Sequence, residues 1–233
     1  MAQWKIASSF KVDFNLLSIT VKTLFKLIKN LIKPVLYRRY SLVLLERDLA
    51  VPERSLRKSS RWTIRQLTDA DLNSCEVHFP HQMKAFAQLF LKGFVSFGSI
   101  EHDSGNVISI VWYAQNAYQD EFNRYTFDVQ DGEVFQFAGE VATTFRNTQV
   151  SAATLIYCWR HWQEQGKTKI TCAVDSKNSA SLKLLFHMNW QESGKLVRYH
   201  RWLGKQITWL ESYADSRFDQ FKRKRKTRLQ NPA

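Results

Sequence analysis

Two periods of apolar spacing alternate along this chain of 233 residues. Residues 14–37, FNLLSITVKTLFKLIKNLIKPVLY, keep a helical period. Leu17, Val21, Leu24, Leu27 or Ile28, and Leu31 form one stripe, with lysines opposite. Pro34 ends or kinks this helix. RYSLVLLERDL (39–49) reads as a strand, as does WTIRQLT (62–68) beyond the polar linker AVPERSLRKSS. DADLNSCEVHF starts a helix capped by Thr68 or Asp69, and HQMKAFAQLFLKG (81–93) is a second helix closed by Gly93. FVSFGSIEHDSGNVISIVWYAQN reads as a hairpin turning at Asp103-Ser-Gly-Asn106. RYTFDVQDGEVFQFAGEVATTF gives two more strands around Gln130-Asp131-Gly132. In the next helix Ala152, Leu155, Ile156, Trp159 and Trp162 share a face, and Gly166 ends it. KTKITCAVD (167–175) is a buried strand, SASLKLLFHM (179–188) a short helix and KLVRYHRWLG (195–204) a last strand. ITWLESYADSRFDQFKRKRK reads as a helix running into solvated charge. The order predicts a mixed sheet with helices on its faces, of the α/β or α+β class.

Charge divides the chain further. The formal net charge is +13, and the excess sits in the first sixty residues (Lys22, Lys26, Lys29, Lys33, Arg38, Arg39) and in KRKRKTR (222–228). The reading is therefore a basic N-terminal helix and linker over 1–60, a domain over 61–205, and a C-terminal helix with a basic tail over 206–233. The amphipathic helix suits three surfaces: its own domain, a second copy in a homodimer, or an anionic membrane. The tail has only Phe218 and Phe221 beside its charges, which argues for a solvated tail over a nucleic-acid site. No apolar run reaches the ~20 residues of a span. The first residues lack a secretory apolar region, so the expected place is the cytoplasm, peripheral at the membrane if the helix docks there.

Most site chemistries lack support. Cys75, Cys158 and Cys172 are scattered and read as buried thiols in a reducing compartment. His78 and His81 have no third ligand nearby, so no metal site is expected. No HExxH, GxSxG or GKS/T run occurs. One stretch stands out, FRNTQVSAATLIYCWRHW from Phe145 to Trp162. A strand ends there and a helix begins, so backbone N–H groups, the helix dipole and the Arg146 guanidinium can converge on an anion. The same residues also read as a core helix capped by Asn147 or Thr148.

From about Trp62 to Gly204 the chain resembles the GNAT acyl-coenzyme A N-acyltransferases. Arg146-Asn-Thr-Gln149-Val-Ser151 stands where that family has Arg/Gln-x-x-Gly-x-Gly/Ala. EVFQFAGEVATTF takes the place of the family's central strand. VDSKNSASLKLLFHMNW matches its second segment through Asn178 and Ser181, with Asn189-Trp190 replacing Gly-Phe. The resemblance implies a mixed, mostly antiparallel sheet with helices on both faces. It implies acetyl-CoA or another acyl-CoA as donor, an acyl carrier protein being a second candidate for so basic a chain, and an amine acceptor on a small molecule, sugar or peptide. The central strand would splay from its neighbour, and the pantetheine arm would meet backbone groups near Val141 and Ala142. Arg146, Asn147, Thr148, Gln149, Val150 and Ser151 would hold the pyrophosphate, and Asn178 and Ser181 would meet the coenzyme. Glu140 would be the general base. The family's tyrosine acid is replaced by Leu185, with Tyr157, Tyr199 and His187 nearby in sequence and unassigned. Phe94, Phe97, Trp112 and Tyr113 are core by their strand placement, or line an acceptor or acyl pocket. Gln149, Leu185 and the missing Gly-Phe keep a second reading open, a catalytically degenerate module that binds or acts as a scaffold.

Overall fold

A computed structural model of the chain describes residues 37–52, 59–202 and 205–222. The predicted N-terminal helix and the basic run beyond Lys222 lie outside them. In chain order the elements are β1 (Tyr37–Asp48), β2 (Trp62–Leu67), α1 (Leu72–Cys75), α2 (Met83–Leu91), β3 (Val95–Glu101) and β4 (Val107–Ala114). Then come β5 (Tyr118–Asp120), β6 (Tyr125–Phe127), β7 (Glu133–Val141), α3 (Val150–Glu164), β8 (Lys169–Asp175), α4 (Ser179–His187), β9 (Gln191–Trp202) and β10 (Lys205–Ser212). Eight strands make one sheet in the order β10-β9-β1-β8-β7-β4-β3-β2. β7 and β8 are parallel, while β1/β8, β2/β3, β3/β4 and β4/β7 are antiparallel. The chain divides into a main unit, Tyr40–Arg198 with Thr208–Ala233, and a smaller one, Met1–Arg39 with Tyr199–Ile207. The described part of the smaller unit consists of strand ends from β1, β9 and β10 and the adjoining residues.

In the main unit each face of the sheet has its own core. On one, Leu155, Trp159 and Trp162 of α3 and Leu182 and Phe186 of α4 pack on Val43, Val111, Tyr113, Val134 and Ile170. On the other, Phe79 and Phe86 of the α1–α2 layer pack on Ile108, Ile110 and Trp112. Further along that second face, Phe127 of the β5–β6 hairpin covers Phe135, Leu42 and Val197. β4 is buried at every position, as its apolar run VISIVWYA requires of a strand covered on both sides. Trp112, Trp159 and Trp162 are at most 2% exposed. Each withdraws roughly 200 Å² from water, about 5 kcal/mol of transfer free energy.

Three features depart from the expected order. The segment 39–49 is a strand as expected, yet it lies inside the sheet, between β9 and β8. β6 does not pair with β7 around Gly132 but with β5, in a separate two-stranded sheet. Residues after 205 form β10 rather than a helix, because Ile207, Thr208 and Trp209 favour an extended chain beside β9. Beyond β10 the chain becomes a strap tied to one carboxylate. Glu192 accepts from the Tyr213 hydroxyl at 2.9 Å, the Arg217 N–H at 3.1 Å and the Ser216 hydroxyl, and pairs with Lys222 at 3.2 Å. Phe218 and Phe221 of the strap pack into the core that α4 closes.

Candidate functional site

β7 and β8 pair over four positions, from Glu133↔Lys169 to Gln136↔Cys172. The pairing then stops, although β7 continues to Val141 and β8 to Asp175. Ala138 has φ 45°, and the register of β7 against β4 slips between Ile110 and Trp112. One extra residue on β7 is a bulge, and a bulge bends its strand. β8 stays paired with β1 along its whole length, from Leu42↔Asp175 to Asp48↔Lys169. The two strands therefore fork. Ala142 N–H donates to Ile108 O at 2.8 Å, which makes Val141↔Ser109 a non-hydrogen-bonded pair. Both main-chain groups of Val141 consequently point away from β4, into the fork. Those of Ala142 are engaged, since its carbonyl accepts from Phe145 N–H at 2.9 Å.

The chain leaves the fork through a 3-10 turn, Thr143–Phe145, and an extended Arg146. Asn147 has φ 62°, a left-handed conformation that asparagine tolerates better than most residues. The Thr148 hydroxyl donates to Phe145 O at 2.7 Å and accepts from Val150 N–H at 3.3 Å. Val150 itself is buried in the core. Gln149 occupies the cap position without making a side-chain cap, so the N–H groups of Ser151 and Ala152 at the start of α3 have no side-chain acceptor there. Buried hydroxyls fix this turn. Thr154 donates to Val150 O at 2.8 Å and meets Ser99 and Ser109 at 2.8 and 3.1 Å.

An open groove of ≈ 360 Å³ runs beside the turn, between Thr148, Gln149 and Ala152 on one wall and Lys183, Leu184, His187 and Met188 on the other. Lys183 and His187 are exposed and four residues apart on α4. Residues 141–163 and 176–191 contain no Asp or Glu, so both walls are free of carboxylates. The α3 dipole, Arg146 and Lys183 make the region attractive to anions. Asn178 accepts from Ser181 N–H at 3.1 Å and caps α4. The far end of α4 is braced by buried Arg47, which donates to Met188 O at 2.7 Å and lies 4.1 Å over the Trp159 ring. Asn189 takes φ 64° and Trp190 is buried, its ring 6.4 Å from Trp159. Asparagine thus adopts the left-handed turn a glycine would, and tryptophan fills the apolar slot beside it. Leu185 is core.

Glu140 lies where β7 passes the α1–α2 layer. Gln82, in the turn that opens α2, donates its Nε2 to Glu140 Oε1 at 2.8 Å. Partial burial pushes the Glu140 carboxyl above its ordinary value, and the Arg146 charge acts the other way. His78 sits edge-on to Phe145 at 6.2 Å, and no group of metal-ligating side chains occurs among the described residues. Gln82, Lys183 and His187 are additions to the sequence-predicted site. The i, i+4 spacing of the last two on a predicted helix was a legible signal. Gln82, 58 residues from its partner, left none.

No protein-family model matches the chain, and no curated protein matches its sequence. Solved structures do resemble it. A GCN5-related N-acetyltransferase from Sphaerobacter thermophilus superposes with a TM-score of 0.52 at 14% identity, over 76% of this chain and 56% of that one. A Drosophila protein solved as a structural-genomics target superposes with a TM-score of 0.52 at 13% identity, over 72% and 53%. The chain spans little more than half the length of either structure. The chain has the GNAT fold.

Proposed function

We propose that this protein is an acyl-coenzyme A-dependent N-acyltransferase that transfers an acyl group to an amine on a small molecule, sugar or peptide. The observation that carries the reading is the fork, a sheet interior where Val141 turns an N–H and a C=O toward no neighbouring strand. An extended amide-bearing arm fits such a gap as a strand would. The groove suits the phosphates at the other end of that arm. Ala152 N–H, the α3 dipole and Lys183 offer positive charge there, Arg146 stands at the start of the turn that leads into it, and Gln149 forms part of an open wall. Thr148, Val150 and Asn178 serve the loop and helix themselves.

The thioester supplies an activated carbonyl: the amine nitrogen bonds to its carbon, the carbon–sulfur bond breaks, and the departing thiolate takes a proton from water. Glu140 removes the proton that the nitrogen loses. Its raised carboxyl makes it a better base than an exposed glutamate. Gln82 holds one oxygen of the carboxyl and leaves the other for the amine. Either acetyl-CoA or a longer acyl-CoA meets these requirements. The phosphopantetheine of an acidic carrier protein does so too, and direct titration with acyl-CoA and, separately, with an acylated carrier protein separates the two sources.

Isothermal titration tests the reading. Coenzyme A and acetyl-CoA are expected to bind, and the double change Arg146→Ala with Lys183→Ala to weaken both by roughly tenfold or more. A folded protein that binds neither would remove the proposal. The core position of Leu185 favours a second reading, because it leaves no phenol where the family keeps its acid. Coenzyme A binding with no acyl transfer to any member of an amine panel would establish that non-catalytic reading instead.

A further inference from the structure

We infer that Phe137, backed by Tyr118 and Phe94, is a stop that limits the donor to short acyl groups. The inference rests on the acyltransferase reading. The last paired residues before the fork are Gln136 and Cys172, so Phe137 on β7 and Ala173 on β8 are the first residues past its apex. An arm lying along the fork brings its thioester to this apex. The α3 face is closed to a longer chain there. Gln136 is buried and accepts from the buried Tyr113 hydroxyl at 3.0 Å, with the Trp162 ring 5.5 Å behind Tyr113.

The other face is the one on which Glu140 meets Gln82, and it is where an amine must approach. Phe137 lies on that face, packed with both the α1–α2 core and the hairpin core. Tyr118 stacks on it with ring centroids 4.1 Å apart and planes at 25°. Phe94 meets it edge-on at 5.1 Å and Tyr118 at 5.7 Å. Tyr118 belongs to the β5–β6 hairpin, which packs over Phe135 of β7 with Leu44 and Ala173 alongside. An acetyl group carries only one methyl beyond the thioester carbonyl. A chain of several methylenes must displace a ring held by two others, and close-packed interiors resist such insertion.

The test is titration of the whole protein with coenzyme A and with acetyl-, butyryl- and octanoyl-CoA, for the native chain and for Phe137→Ala and Phe137→Leu. The native protein is expected to bind acetyl-CoA about as tightly as coenzyme A, and octanoyl-CoA weaker by roughly tenfold or more. Phe137→Ala is expected to restore octanoyl-CoA by a similar factor with acetyl-CoA unchanged, and Phe137→Leu to fall between. Unaltered binding of free coenzyme A shows that each variant is folded. Equal affinity of the native protein for every acyl length, or no gain on truncation in a variant that still binds coenzyme A, overturns this inference alone. Failure of the native protein to bind any coenzyme A species overturns the acyltransferase reading and this one with it.

Discussion

The two halves of the β7–β8 pair are built from one pair of neighbouring strands and behave oppositely. In the first half Glu133 to Gln136 are paired residue for residue with β8, and Lys169 bridges Glu133 at 3.3 Å and Glu46 at 3.7 Å. In the second half a bulge at Ala138 turns β7 away while β1 keeps β8 in place. The first half uses its backbone for the sheet. The second leaves backbone groups to something else, and the candidate base and the anion-attracting turn both lie within a few residues. The site therefore sits where the regular structure is interrupted, on a framework that is regular on either side.

The largest effect expected from breaking this comparison is chemical. Glu140→Gln keeps the Gln82 contact and the shape of the forked half but removes the base. The turnover number with the best amine of a panel should fall about 10²- to 10⁴-fold, with coenzyme A affinity unchanged. A drop in affinity of similar size would show that Glu140 supports the fork rather than the proton transfer. The next effect is structural. Ala138→Val places a β-branched residue at φ 45°, where even alanine is strained, and should cost about 1–2 kcal/mol in denaturant unfolding. Coenzyme A binding should weaken as well, because the bulge that opens the fork is what the substitution disfavours. Unchanged stability and affinity would mean that the bulge does not set the opening.

Sequence patterning reached the regular half more readily than the interrupted one. Buried runs such as VISIVWYA and the alternation in KITCAVD made the central strands legible, since burial on one or both faces dictates those periods. The Arg146 turn and Asn178 stand out by motif position. The roles of Thr148 as an internal cap and of Val141 rather than Ala142 as the residue open to the fork depend on hydrogen-bond phase, which side-chain identity does not encode. The edge strand β10 was read as a helix because exposure on both sides of an edge blurs a period of two. The β5–β6 pairing was missed because three-residue strands carry almost no pattern. Asn189 shows the converse. It stands where the family has the glycine of Gly-Phe and still takes positive φ, so a segment that looks degraded in letters keeps its backbone shape.

A smaller effect concerns stability rather than rate. The Glu140 carboxyl is raised in the folded protein, so the folded state holds its proton to higher pH than the unfolded state does. Stability therefore falls as pH rises through the ordinary glutamate value, about 4.3, and levels off above the folded one. Glu140→Gln removes that loss. The variant should melt at a slightly higher temperature than the native protein at neutral pH, and the gap should close below about pH 4. A gap that persists in acid would trace the difference to packing.

The smallest effect belongs to the closed half and is the control for the rest. Lys169 is 40% exposed in its side chain and bridges two carboxylates of adjoining strands. Those partners raise its ammonium above the ordinary lysine value, so the stability they add is present below about pH 10.4 and is lost as pH climbs through the raised one. Because the group is solvated, Lys169→Ala should cost only about 0.2–1 kcal/mol at neutral pH, measurable by denaturant unfolding and reduced by salt. Coenzyme A affinity should not change, since the four-residue pairing survives on backbone hydrogen bonds and the fork begins beyond it. A loss of affinity comparable to that of Ala138→Val would mean that the two halves are mechanically one. The geometry of the fork would then be set by the charge clasp at its closed end, and the bulge would only adapt to it.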